Sequence, residues 1–234
     1  RIWDAWSDPE TGELGPIYSH LWRRFGGSHP VSHGEPSLTS HRSNQDQDHD
    51  LDGLKTRTGH FNDPGVDQIA NLVRDISTCA MDEGASVGRR LIMIAWDPRA
   101  LPFQALPPCH LLTQFCVRDR RLSCVMTMRS ADLFLGVPWN LASYALLTHL
   151  LAHTVNETLP PAHALSVGRI VIRFGDAHIY VNHLDQVRAQ LAREHRPFPR
   201  LVLRDDTNVF RFLSEDAMVV GYDPHGALPA PVAV

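Results

Sequence analysis

Residues 106–155 read LPPCHLLTQFCVRDRRLSCVMTMRSADLFLGVPWNLASYALLTHLLAHTV, and their periodicity decides the fold. Residues 110–118 and 121–128 are two apolar, strand-like runs joined at Asp119-Arg120, which predicts a hairpin. Residues 140–155 are apolar nearly all round at helical spacing, which predicts a central, buried helix. Outward from this core, Ile69, Leu72, Val73 and Ile76 fall at i, i+3, i+4, i+7 and predict an amphipathic helix. Residues 89–96, 168–174, 196–203 and 217–220 read as further strands, and residues 181–193 as a helix with Leu184, Val187 and Leu191 on one face. The sum is an α+β fold, a mixed sheet packed against helices with one long buried helix. Residues 1–25, rich in Trp, Tyr and Gly, read as irregular structure. Residues 26–65 hold many Ser, His, Asp, Gly and Pro and few large apolar side chains. Such a composition offers too little burial to offset ordering entropy, so an exposed, flexible insertion is expected.

The chain has 234 residues, 43% of them hydrophobic, and a net charge of −4. That length supports one large core, and the charge excludes a general nucleic-acid or membrane-surface binder. No apolar run reaches the roughly 20 residues of a membrane helix. Cys79, Cys109, Cys116 and Cys124 have no CxxC spacing and no disulfide-framework density, which suits a reducing compartment. Cys116 and Cys124 lie in strand-like apolar runs and are expected to be inert core thiols. Five histidines of the insertion (His29, His33, His41, His49 and His60) lack paired ligand spacing, and no glutamate or third ligand accompanies His149 and His153, so no metal is expected.

The chemistry-bearing residues cluster in the opening stretch. Cys109, stiffened by Pro107-Pro108, is either a small buried hydrophobe or a nucleophile that needs a nearby cation to favour thiolate. Arg129 can fork onto a phosphate with Ser130 beside it, and Arg89 and Arg90 are either surface charges or further phosphate ligands. Asn140 carries both donor and acceptor, matching the N3–H and O4 edge of uracil, yet Asn is also a good helix N-cap. His178 and Tyr180 alternate along one face of an extended run, as packing residues or as contacts to a sugar hydroxyl. His110, adjacent to Cys109 on a strand, points to the opposite face and is a poor direct base.

Taken in order, IWDAWSDPETGELGPIYSHLWR, RRLIMIAWDPRALPFQALPPCH, RSADLFLGVPWNLASYALLTHLLA, GDAHIYVNHLDQVRAQLARE, RPFPRLVL, GYDPH and PVAV resemble the thymidylate synthase family over nearly the whole chain, residues 26–65 and about 204–214 excepted. The resemblance implies a single domain spanning 1–234 and a cytoplasmic homodimeric methyltransferase. Its substrate would be dUMP, methylated at C5 to dTMP with 5,10-methylenetetrahydrofolate as folate co-substrate and no metal. It implies that Cys109 attacks C6 of the pyrimidine, that Asn140 reads uracil, and that Tyr18 serves the water network removing the C5 proton. Arg129 and Ser130, with Arg89 and Arg90 from the partner subunit, would hold phosphate. His178 and Tyr180 would hold the sugar 3′-hydroxyl. Asp132 would contact both ligands, while Trp3, Trp6, Leu135, Gly136 and Val234 would line the folate site.

Three departures accompany it. The sequence starts at Arg1 without a counterpart of the family's amino-terminal portion, which carries a phosphate-binding arginine loop and a catalytic glutamate. Met128 stands where Gln is usual before Arg-Ser, and Trp139 where Phe is usual before the Asn. A dUMP or dCMP hydroxymethylase of the same family, or an inactive nucleotide-binding dimeric homologue, is therefore the alternative expectation.

Overall fold

In the computed structural model the described residues are Ser7, Gly12, 14–27 and 65–232. Trp3, Trp6, Val234 and most of the expected insertion lie outside them. Two compact units are formed, residues 1–70 with 93–108 and residues 71–92 with 109–234.

In the first unit, residues expected to be irregular form a helix, α1 (Tyr18–Arg24). Two turns are too short to show a period, and isolated helices of that length are unstable, so tertiary ties must hold it. Leu21 is buried beneath it, and the Gln68 amide donates to both Leu21 O and Ile94 O at 2.8 Å while accepting from the Ile94 N–H at 2.8 Å. Arg23 also pairs with Asp67 at 2.8 Å. Asp67 in turn caps α2 (Gln68–Met81) by accepting from the Ala70 N–H at 2.9 Å. Gly15 has φ +74°, and a Cβ there would overlap the Phe103 carbonyl, so only glycine fits.

The second unit holds the expected α+β core. A four-stranded sheet runs in the order β1 (Ile92–Ile94), β2 (His110–Arg118), β3 (Arg121–Asp132), β4 (Ser166–His178). Arg89 and Arg90 precede it in an exposed 3-10 helix, Ser86–Arg90, rather than opening the strand as the sequence suggested. Gly88 and the polar residues before it leave too few apolar side chains there for a buried strand.

β2 and β3 form the predicted hairpin, with His110 opposite Met128 and Arg118 opposite Arg121. Asp119 (φ 50°) and Arg120 (φ 55°) both lie in the left-handed region that a two-residue hairpin turn requires. The Glu83 carboxylate accepts both turn amides, at 3.0 and 2.8 Å, which holds this otherwise costly pair. On the turn's side those bonds involve backbone alone, and the one side-chain bond of Arg120, from Nη1 to Ala162 O at 3.2 Å, is exposed and cheap to lose. An Asp119→Asn/Arg120→Gly double substitution should therefore keep the Glu83 bonds, relieve the turn and raise stability by about 1 kcal/mol. Urea unfolding checks this, as a higher midpoint with an unchanged slope.

Strand alternation sorts the thiols. Thr113, Phe115 and Val117 of β2 and Leu122, Cys124, Met126 and Met128 of β3 are buried. Cys124 is thus a core thiol as expected, whereas Cys116, out of phase by one residue, is exposed. That corrects the expectation for Cys116.

Parallel pairing of β3 with β4 needs a long crossover, and α3 (Gly136–Asn156) begins it. Tyr144, Leu147, Thr148, Leu151 and Val155 repeat at three and four positions and are buried on one face. The helix starts four residues earlier than its apolar run, and its first turns are open, with Trp139 69% exposed and Leu141 also exposed. The expectation of a buried helix therefore holds from Tyr144 onward. β5 (Arg200–Leu203) and β6 (Ala217–Val220) make a separate antiparallel ribbon, and α4 (Leu184–Leu191) fills the expected helix after a 3-10 turn at Val181–His183. No helix among the described residues is long and apolar enough to cross a membrane.

Candidate active site

Because β2 is antiparallel to β3 and β4 is parallel to it, the start of β2 meets the ends of β3 and β4 at one edge of the sheet. Those three strand ends are His110, Arg129 to Asp132, and Asp176 to His178. Ser130 lies opposite Asp176, and Asp132 opposite His178. Cys109 sits one residue before β2, and its carbonyl accepts the Arg129 N–H at 2.9 Å. The backbone itself thus sets nucleophile beside cation.

Burial pushes the half-buried Cys109 thiol up from its ordinary value, and the Arg129 charge opposes that rise. Cys124 and Cys79 are also pushed up by burial, Cys124 to about 11. Among the buried thiols only Cys109 has an arginine lowering its pKa. Arg129→Gln should raise the Cys109 pKa further and slow its alkylation at pH 8 by about threefold to tenfold. Iodoacetamide kinetics against pH, in a Cys116→Ala background that removes the exposed thiol, would show the limb moving to higher pH. An unmoved limb would mean that Arg129 does not act on the thiol.

Asp132 ends β3 and turns the chain. Its Oδ1 accepts the N–H of Phe134 at 3.0 Å and of Leu135 at 3.3 Å, and the Leu133 N–H donates to His178 O at 3.0 Å. This Asx turn delivers Leu135 as N-cap and Gly136 as first residue of α3. A Cβ on Gly136 would lie 3.4 Å from Asp132 Cβ and 3.8 Å from Asn140 Oδ1. These are ordinary van der Waals distances, so the packing of the helix start on the strand end does not itself demand glycine.

Asn140 is inside α3, so the helix-cap alternative is overturned. Four-residue spacing puts Gly136, Asn140 and Tyr144 on one face. There the Asn140 Nδ2 donates to His110 Nε2 at 2.7 Å, and the Tyr144 ring meets the His110 ring edge-on at 5.3 Å. Burial holds the His110 imidazole down at about 4, so it is neutral and can accept through Nε2. Strand alternation argues against His110 as a direct base for its neighbour, and it does not reveal the hydrogen bond from His110 to Asn140. The Gly136-x-x-x-Asn140-x-x-x-Tyr144 spacing was the available signal.

His178 and Tyr180 share a side as predicted, with ring centroids 5.0 Å apart, and Asp176 lies 3.6 Å from His178 Nδ1. Arg89 and Arg90 carry exposed guanidinium groups on their 3-10 helix, with no ion pair to any described residue. Tyr18 opens α1 in the first unit, its ring 6.0 Å from Trp22. Of the two single-residue departures from the family pattern, Met128 is buried in the core and Trp139 faces solvent.

Alongside this geometry, the thymidylate synthase family model matches residues 1–234. The chain belongs to the thymidylate synthase family. Thymidylate synthases are methyltransferases of dTMP formation that bind dUMP and use methylenetetrahydrofolate as co-substrate. In this thymidylate synthase family member, Leu133, beside the Asp132–Gly136 turn, and Trp139 and Leu141 in the first turns of α3 are exposed. Among the described residues no group of three His, Cys, Asp or Glu side chains could hold a metal. His149 and His153 instead line an open cleft of about 420 Å3 with Leu201 and Leu203, where His153 Nδ1 contacts Thr207 O at 2.9 Å.

Proposed function

We propose that the chain methylates dUMP at C5 to dTMP, through a covalent bond between Cys109 Sγ and C6 of the uracil. The observation that carries this reading is the convergence of Cys109, Arg129 and the His110-bound Asn140 at one edge of the sheet. Attack of the thiolate on C6 moves the C5–C6 electron pair toward C5 and O4, making C5 nucleophilic. The thiol proton must leave first, passing to solvent, and the Arg129 charge favours that loss against the opposing effect of burial. Asn140 has a second Nδ2–H for O4 and its Oδ1 for N3–H. Arg129 and Ser130 hold the phosphate, joined by the exposed Arg89 and Arg90 of a second copy. His178 and Tyr180 hold the 3′-hydroxyl, and Tyr18 serves proton removal from C5. Bound against Asp132, Leu135 and Gly136, with Trp3, Trp6 and Val234, methylenetetrahydrofolate supplies the one-carbon unit and the hydride.

Val171 is exposed on β4, which supports a homodimer joined through that face of the sheet. The test is product analysis from dUMP and methylenetetrahydrofolate. A methylated nucleotide with dihydrofolate in equal amount is expected. Hydroxymethyl nucleotide without dihydrofolate would replace the reading with that of a hydroxymethylase, and no turnover would end the enzyme reading.

A further inference from the structure

We propose that His183 is a positioning residue, fastening the chain's carboxyl-terminal strap to the aromatic wall of the site. The inference rests on the methylation reading only in its kinetic arm. After β6 the chain turns at Gly221, in the left-handed region at φ +74°, and runs on through residue 232 with no helix or strand. Pro224, Pro229 and Pro231 remove amide donors from this strap, so it is held mainly through its carbonyls, with an exposed ion pair from Arg196 to the Asp223 carboxylate at 2.6 Å.

His183 Nε2 donates to Pro231 O at 2.7 Å, Gln186 to Pro229 O at 3.3 Å, Arg193 to Gly226 O at 2.6 Å and Arg196 to Asp223 O at 3.1 Å. In the reverse sense His225 Nε2 donates to Glu194 O at 2.9 Å. Four of these five bonds lie among exposed groups, where water replaces a lost partner at little cost. His183 is the exception, with none of its surface exposed.

Its ring is also the one that reaches the site. The imidazole lies 5.5 Å from Phe134 and 5.6 Å from Tyr180, and Tyr180 packs on His178 at 5.0 Å. Phe134 is tied through its N–H to Asp132. Pro231 is therefore linked through one buried side chain to both flanks of the sheet edge, the Asp132 turn and the His178–Tyr180 pair. The other four bonds fix where the strap runs; His183 fixes where its end lies relative to the pocket. The donation to Pro231 O places the ring proton on Nε2.

The geometry separates donor from ring. His183→Gln keeps an amide N–H near the Nε2 position, His183→Phe keeps the ring and loses the donor, and His183→Asn stops short of Pro231. Backbone order parameters of Ala230 and Val232 are expected to stay high in the wild type and His183→Gln, and to fall below about 0.6 in His183→Phe and His183→Asn. The KM for methylenetetrahydrofolate is expected to rise about tenfold in the latter two, with kcat changed less than threefold and with rescue by Gln. Equal behaviour of Gln and Phe, or an unmoved Val232 in the Phe and Asn variants, overturns the proposal. If the wild type does not turn over, the methylation reading fails while the order parameters still decide the strap.

Discussion

Cys109→Ala is expected to remove turnover and the covalent adduct together, while Cys116→Ala removes neither. Incubated with 5-fluorodeoxyuridylate and methylenetetrahydrofolate, the wild type and Cys116→Ala should gain the mass of one nucleotide plus one folate per chain. Cys109→Ala should gain nothing. The loss in kcat should be on the order of 10^4-fold or more, since a nucleophile acting as the centre of a unit has no substitute when it is removed. Cys116 is the discriminating control because it is the exposed thiol, the one a nonspecific reagent meets first. The half-buried Cys109 thiol is pushed up by burial, and the Arg129 charge opposes that rise. The sign of the pH effect follows. A thiol pKa raised by burial gives a thiolate fraction that grows with pH, so adduct formation should speed up from pH 7 to pH 9 rather than plateau at neutrality. An adduct on Cys109→Ala, or one mapped to Cys116, would sink the assignment.

The core was legible because periodicity reports burial. The hairpin ends where Asp119-Arg120 place it, and the face of α3 from Tyr144 to Val155 follows the apolar spacing. Start points were less legible. α3 begins at Gly136 because the Asp132 side chain captures two amides ahead of it, a local hydrogen-bond event that an apolar pattern does not record. α1 is invisible to periodicity because its order comes from Gln68, more than forty positions away. Cys116 was misplaced by treating an apolar run as buried on both faces, when β2 exposes one. At the site, residue types and family motifs named Cys109, Arg129 and Asn140, but not what orients them. His110 was read only against its neighbour Cys109, and its bond to Asn140 spans 30 positions, a pairing that only the fold supplies.

Asn140→Asp tests that pairing and the base readout at once. In the proposed site the native amide has one partner on each side. One Nδ2–H goes to His110 Nε2 at 2.7 Å, which leaves Oδ1 to accept from N3–H of uracil and the second Nδ2–H to donate to O4. A carboxylate only accepts. Facing a neutral Nε2 lone pair it repels, unless the imidazole takes a proton there, and the negative charge favours the protonated ring. His110 should therefore titrate well above its native value of about 4, an upward move readable in the ring-proton shifts of that histidine. On the ligand side the carboxylate offers O4 no donor, while it accepts from the 4-amino group of cytosine. The kcat/KM for dUMP should fall about 10^3-fold, since a site that leaves buried polar atoms of substrate and protein unpaired discriminates strongly. The ratio of dCMP to dUMP processing should rise by at least as much. The two readouts separate the roles of the amide. A raised His110 titration with an unchanged preference for uracil would make Asn140 a partner of His110 alone. A switched preference with an unmoved His110 would mean that the carboxylate has swung from the imidazole toward the base.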